Sequence, residues 1–260
     1  MCAHSHTPIA LLTDFGTRDW YVGAMKGVIL SRCPQATLVD ISHEIAPGDI
    51  AAAAYALSRC WLDFPAGTVF LAVVDPGVGT ARRAIAVKSQ ERFFVGPDNG
   101  LFAFLNSYEA REITNRVFMS DAPSHTFHGR DIFAPTAAQL AAGDAFSRVG
   151  PTLDTLTALQ EPQPIFTDSG AEGCVLRFDH FGNAITNFSR ADVTAHFSLE
   201  SIRVVIGETP LPFVKTFGDV PAGSPLAYFG AGGFLEIAIN GGSARDALKL
   251  AKHNPLKIFP

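Results

Sequence analysis

Thr68-Val-Phe-Leu-Ala-Val-Val-Asp75-Pro-Gly-Val-Gly79 is the stretch on which the fold turns. Its first seven residues are almost wholly apolar and then stop at an acid, a proline and two glycines. A strand with one wet face alternates apolar and polar residues, whereas a run without alternation suits a strand covered on both faces of a parallel sheet. Working outward, residues 9–13 and 37–41 are shorter strand candidates. Between them, residues 20–32 read as a helix, with Asp19 as its cap and Pro34 beyond its end. A second helix follows Pro47-Gly48 over about residues 49–59. Residues 84–87 and 92–95 add strands, and 100–105 and 132–142 read as helical. Strand and helix in alternation predict an α/β N-terminal domain, a central, mostly parallel sheet flanked by helices and joined by right-handed crossovers.

The pattern changes near Gly150. Pro151, Pro162 and Pro164 punctuate a stretch without period, read as a linker. Beyond it, short runs rich in β-formers recur near residues 173–179, 183–187, 202–206, 226–229 and 235–240, with turn residues between them. That spacing predicts a smaller all-β barrel as the C-terminal domain. The domains are expected at 1–160 and 161–260.

Composition bounds the function. Only 17% of the 260 residues are charged, against roughly 25% in average globular chains. With 47% hydrophobic residues the chain can offset its ordering entropy by burial, so disorder is excluded. No apolar run approaches the ~20 residues of a spanning helix, so no membrane association is expected. Low charge content also raises the expectation that surface is hidden in an oligomer. The net charge of −5 argues against a nucleic-acid partner, which wants a basic patch. Cys2, Cys33, Cys60 and Cys174 form no C-x-x-C and read as incidental thiols of a reducing compartment. Residues 1–7 are polar, without the apolar segment of a signal peptide, which predicts a cytoplasmic protein. His4 and His6 alternate there and are read as part of a floppy start.

Asp14 ends the first strand and Asp75 the third, with Asp40 within or at the end of the second. Ligands of open α/β sheets sit outside the carboxyl ends of the strands. A single Asp in that position commonly caps a turn. Two of them, each followed by a glycine turn that lets the backbone approach a ligand, point to a site. The segment after Asp75 lacks the spacing of a dinucleotide fingerprint or a P-loop. It does place Arg82 seven residues on, able to fold back and pair with the carboxylate. Phe127-His128-Gly-Arg-Asp131 is a second dense group, in which Arg130 and Asp131 can order the loop around His128. Gly96-Pro-Asp-Asn-Gly100 reads as a structural turn. Asp179-His-Phe-Gly-Asn183 reads as a hairpin turn, whose Asn183 carries a donor and an acceptor suited to an amide-rich edge such as adenine. A metal-dependent hydrolase built on Asp14, His43, Asp49, Asp75, His128 and Asp131 is one alternative. A non-catalytic sensor of a small adenine-bearing ligand is another, although it has no need of Asp75, Arg82 and His128 together.

Taken in order, Thr13-Asp-Phe-Gly-Thr17, Val74-Asp-Pro-Gly-Val-Gly79 with Arg82-Arg83, Val95-Gly-Pro-Asp-Asn-Gly-Leu-Phe102, Thr126-Phe-His-Gly-Arg-Asp-Ile-Phe-Ala-Pro135, Asp179-x-Phe-Gly-Asn-x-x-Thr-Asn187 and Phe234-Leu-Glu-Ile-Ala-Ile-Asn-Gly-Gly-Ser-Ala244 make a specific set. The chain resembles the S-adenosyl-L-methionine hydroxide adenosyltransferases, relatives of the fluorinases and chlorinases, from about residue 9 to 247. The resemblance implies hydrolysis of S-adenosyl-L-methionine to adenosine and L-methionine, by attack of water or hydroxide on ribose C5′, with no cofactor and no metal. It also implies a homotrimer with its active sites at the subunit interfaces.

Asp75, Arg82 and His128 match the water-activating triad of the hydrolase branch; halogenating relatives have a tyrosine or another non-acidic residue in place of Asp75. By the same resemblance Asp14 is a ribose-hydroxyl ligand and Asn183 reads adenine. Asp179 and Glu236 are candidates for the methionine end or the barrel site, and Phe127 and Phe188 for stacking on the nucleoside. One departure stands out. Gly230-Ala-Gly-Gly233 occupies the place where many relatives have Asn-Ser-Ser-Gly, so hydroxyls that hold the methionine carboxylate are missing.

Overall fold

A computed structural model describes residues 7–260; Cys2, His4 and His6 lie outside the described residues. The chain divides into two compact units, Met1–Gln160 and Glu161–Pro260.

The first unit is built on a seven-stranded sheet. Its strands are β1 (Pro8–Thr13), β2 (Thr37–Ser42), β3 (Val69–Val73), β4 (Ala84–Ser89), β5 (Arg92–Pro97), β6 (Glu109–Glu112) and β7 (Thr152–Leu153), in the order β2-β1-β3-β5-β4-β6-β7. As expected, β3 is covered on both faces. Val69, Leu71 and Val73 join one core with Met25 and Ile29 of α1 (Tyr21–Arg32) and with Ala134, Ala137 and Ala138 of α3 (Ala134–Ala141). Phe70, Ala72 and Val74 join the other, with Ala53, Ala54 and Leu57 of α2 (Ile50–Cys60) and with Trp61. The opening stretch is therefore apolar without a break because helices cover both sides of it.

The sheet is mixed rather than mostly parallel. Pairings β1–β2, β1–β3 and β3–β5 are parallel, while β4–β5, β4–β6 and β6–β7 are antiparallel. The cause is local. Gln90 and Glu91, the only residues between β4 and β5, both adopt positive φ (44° and 62°), the conformation of a two-residue hairpin turn. Such a turn joins only antiparallel strands. Two further expectations need correction. Asp19 does not cap α1; the capping position falls on Trp20, without a side-chain bond. Residues 100–105 form a turn rather than a helix. Asp49 does cap α2, its Oδ1 accepting from Ala52 N–H at 2.9 Å.

In the second unit every pairing between strands is antiparallel. Strands β8 (Ile165–Thr167), β9 (Gly170–Phe178), β10 (Ala184–Ser189), β11 (Arg203–Ile206), β12 (Thr209–Leu211), β13 (Pro225–Phe229), β14 (Phe234–Ile239) and β15 (Pro255–Phe259) form one sheet. Its order is β12-β11-β15-β9-β10-β14-β13, with β8 on β9. An isolated bridge from Phe213, just past β12, to Ala227 in β13 draws the two ends together, so the sheet is nearly barrel-like. Val175, Phe188, Val204, Leu235, Ile237 and Ile258 fill it.

No helix among the described residues is long and apolar enough to cross a membrane.

Candidate active site

β1, β2 and β3 run parallel and end at one edge of the sheet, with Thr13 in register with Val73. Adjacent strands lie about 4.8 Å apart, so the loops that leave them crowd together. Asp14 follows β1, His43 follows β2 and Asp75 follows β3.

The turn after Asp75 folds back on itself. Val78 N–H donates to Asp75 C=O at 3.2 Å, and the Thr80 hydroxyl to Gly77 C=O at 2.7 Å. Gly79 stands at φ +78°, where a Cβ would lie 2.5 Å from the His125 carbonyl oxygen. This turn returns Arg82 to Asp75. Arg82 Nε donates to Oδ1 and Oδ2 at 2.8 and 3.0 Å, and Nη2 to Oδ2 at 2.5 Å. The two side chains are only 10% and 5% exposed. A fork-on-carboxylate pair is stronger than a neutral hydrogen bond and fixes orientation as well as distance. The guanidinium also sits over the Phe133 ring, 5.2 Å from its centroid. Behind Asp75, the Asn99 amide donates to Val74 C=O at 2.9 Å.

His128 completes the group, with Arg82 Nη2 2.8 Å from its Nδ1. Because a guanidinium only donates, Nδ1 is the acceptor and the ring proton sits on Nε2. Burial lowers the His128 pKa, and the Arg82 charge adds to the effect; Asp75 and Asp131 pull the other way. The residue opens a π-helical turn, Gly129–Phe133, that runs into α3. Such turns recur at functional sites. Asp131 steadies the loop before it, accepting from Ser124 N–H at 2.8 Å and from Arg130 at 2.7 and 3.0 Å. Asp75, Arg82 and His128 are therefore brought together, the first two as their spacing suggested and His128 as the family resemblance implied.

Asp14 is half-buried, and its Oδ2 accepts from Gly48 N–H at 2.8 Å. Phe127 is buried in an aromatic cluster, 6.0 Å from Phe15, 5.5 Å from Trp20 and 5.3 Å from Tyr21 between ring centroids. Trp20 and Tyr21 are 59% and 39% exposed; only the outer part of this cluster can meet a ligand.

In the barrel-like unit, Asp179 is a turn organiser. Its carboxylate accepts from the N–H groups of Phe181 (2.9 Å) and Asn183 (2.8 Å), and from Asn183 Nδ2 (2.8 Å). One amide hydrogen of Asn183 is thus committed within the turn. Asn183 borders an apolar cavity of about 460 Å³, with Phe181, Phe217 and Ile239. The sequence reading did not single out Phe217, because nothing in its own neighbourhood links it to the Asp179 motif.

Glu236 is buried and accepts from the Tyr228 hydroxyl at 2.5 Å. Burial raises its pKa; the Tyr228 bond opposes this and the Asp179 charge adds to it. A Cβ on Gly230 would fall on the Glu236 carboxylate, so glycine at that departure from the family pattern makes room for it. Phe188 needs correction as a stacking candidate. It is fully buried, packed on Phe166 and facing Gly173, and belongs to the core.

Among the described residues no group of three or more His, Cys, Asp or Glu side chains is arranged to hold a metal ion. Of the six candidates, Asp49 is engaged in its helix cap, Asp75 by Arg82 and Asp131 by Arg130 and Ser124.

A mixed α/β unit with a half-buried Asp–Arg–His group, followed by a barrel-like unit, has clear relatives. Residues 9–150 match the SAM hydroxide adenosyltransferase N-terminal domain and residues 173–257 the C-terminal domain. The chain belongs to the SAM hydroxide adenosyltransferase family. It is 42% identical to the (R)-S-adenosyl-L-methionine hydrolase of Thermus thermophilus, over 97% of this chain and 99% of that one. It is 31% identical to a fluorinase of an Actinoplanes species, over 92% and 93%. An uncharacterized conserved protein from Thermotoga maritima, solved by crystallography, superposes with a TM-score of 0.89 at 39% identity, covering 97% of this chain and all of that one.

Proposed function

We propose that this protein hydrolyses S-adenosyl-L-methionine to adenosine and L-methionine, by attack of water or hydroxide on ribose C5′ with departure of the methionine sulfur. The observation that carries the reading is the bidentate Arg82–Asp75 pair with His128 on the same guanidinium. A sulfonium leaves as a neutral thioether, so the leaving group needs no proton. The difficulty lies in holding water in line behind an sp³ carbon, and well-oriented reactions gain up to ~7–11 kcal/mol from such positioning. Asp75 orients the water or accepts its proton, an effect of typically ~10²–10⁴-fold. Arg82 holds the carboxylate in one orientation, and His128 completes the water's hydrogen bonds. A carboxylate at this point also repels halide, which favours water over the chemistry that gives the fluorinases their name.

The remaining roles follow from the same reading. Asp14 accepts from the ribose hydroxyls. Asn183, held by Asp179, meets the adenine edge, with Phe181 and Phe217 as apolar walls. The outer aromatic cluster around Phe127 borders the nucleoside, and Glu236 supports the barrel side. Neither metal nor cofactor takes part. The protein acts in the cytoplasm as a homotrimer whose active sites lie at the subunit interfaces.

The test is incubation of chelator-treated protein with each sulfonium epimer of S-adenosyl-L-methionine, since the relatives' name specifies R. Adenosine and methionine are expected on chromatography, with ¹⁸O from labelled water in the adenosine 5′-hydroxyl. Product no greater than that of Asp75→Ala overturns the reading. Activity lost with chelator and restored by metal points to a metallohydrolase, and a halogenated nucleoside to the other branch.

A further inference from the structure

The loops leaving β1 and β2 are clasped through one residue. His43 is 5% exposed, and its Nδ1 lies 2.8 Å from the hydroxyl of fully buried Thr13. That hydroxyl accepts Phe15 N–H at 3.3 Å, and the His43 carbonyl accepts Gly16 N–H at 2.7 Å. Both residues after Asp14 are thereby tied to His43, one through Thr13 and one directly. Gly48, from the same loop as His43, donates to the Asp14 carboxylate itself. On the far side, His43 Nε2 is 3.1 Å from Asp40 Oδ1, off the line of a well-formed hydrogen bond but with that carboxylate as the acceptor in reach. Asp40 Oδ2 accepts from Lys26 Nζ at 2.6 Å. Partial burial pushes the Asp40 pKa up, and the Lys26 and His43 contacts together outweigh it, so the net direction is down.

We propose that His43 is a positioning residue for Asp14. Asp40, anchored by Lys26, orients the imidazole; the imidazole fixes the Thr13 hydroxyl; and Thr13 with the His43 carbonyl sets the turn that presents the Asp14 carboxylate. The role rests on the reading that Asp14 accepts from the ribose hydroxyls. Thr13 is too buried to act as a nucleophile, which leaves orientation as the work such a chain can do. A residue that acts only by aiming Asp14 contributes to binding the diol in ground and transition states alike, so its loss raises KM and spares kcat.

The experiment compares wild type with Asp14→Ala, His43→Ala, His43→Asn and Thr13→Val. The substrates are S-adenosyl-L-methionine and its 2′,3′-dideoxy analogue. His43→Ala is expected to raise KM by about tenfold with little change in kcat, the scale of one or two lost hydrogen bonds. His43→Asn, which keeps an acceptor for the Thr13 hydroxyl, recovers most of the loss. The penalties of Asp14→Ala, His43→Ala and Thr13→Val all shrink on the dideoxy analogue. A His43 penalty equal on both substrates, or one that falls on kcat alone, overturns the proposal even if Asp14 behaves as expected. Should His43→Ala fail to fold, Thr13→Val carries the same comparison, a penalty equal on both substrates overturning the proposal. If wild type does not turn over S-adenosyl-L-methionine, the hydrolase reading has failed, and positioning is read instead from calorimetric binding of adenosine against 2′,3′-dideoxyadenosine. Weaker adenosine binding in the variants then supports it, and unchanged binding overturns it.

Discussion

At the scale of single residues, His128 is defined by the partner that cannot accept. Arg82 forces its Nδ1 to be unprotonated whenever the 2.8 Å contact is made. Burial and the neighbouring guanidinium together lower its pKa from the ordinary 6.5. A lowered pKa keeps the imidazole neutral to more acidic pH, so a reaction that uses the neutral ring loses activity only below that value. The expected kcat profile declines on the acid side with its midpoint below 6.5; a decline centred at or above the ordinary value contradicts the assignment. Asp75, Arg82 and His128 were legible because the first two flank one glycine turn and the third sits in its own dense motif. The Thr13–His43 contact was not, since it joins residues thirty positions apart through the parallel pairing of β1 with β2. Phe188 misled because an aromatic side chain beside a polar motif reads alike whether it faces a ligand or the core.

Among the elements, the turn over residues 75–83 and the loop before the π-helical turn are packed together at Gly79. The glycine answers two demands at once, a φ of +78° and a close approach to the His125 carbonyl. A side chain there meets backbone strain of ~1–3 kcal/mol before the clash is counted. Gly79→Ala is therefore expected to lower the melting temperature by several degrees and to reduce kcat by displacing Arg82 from His128. Gly77→Ala is the control for stability, since its Cβ meets nothing nearer than 3.5 Å and its φ is not positive. Equal melting temperatures for the two variants would remove Gly79 from this role. The elements themselves were read unevenly for physical reasons. The run of β3 and the start of α2 after Pro47-Gly48 are local signals and were found. The antiparallel half of the first sheet hangs on the positive φ of Gln90 and Glu91, residues whose composition does not announce it. Strands β6, β7, β8 and β12 are short or carry few apolar residues, and tertiary pairing forms them; β15, with Leu256 and Ile258 alternating into the core, carried a local signal that went unread.

Over the whole molecule, the low charge content and the two-unit chain bear on one question: which surfaces meet. The proposed water-activating residues, Asp75, Arg82 and His128, belong to the first unit; Asn183 and its apolar cavity belong to the second. If a homotrimer assembles each site from the first unit of one subunit and the barrel-like unit of its neighbour, defects in the two units complement across subunits. Asp75→Ala spoils only the first contribution and Asn183→Ala only the second. Denatured together in equal amounts and refolded, the two variants redistribute at random among the positions of the ring. About a quarter of the interfaces then pair an intact first unit with an intact barrel, the product of two even chances in a head-to-tail cyclic assembly. The refolded mixture is accordingly expected to regain about a quarter of the activity of wild type treated in the same way, while each variant refolded alone stays inactive. Sedimentation of wild type is expected to give the mass of three chains. A mixture as inactive as its components, from protein that sediments as a trimer, would mean that each subunit builds its site from its own two units.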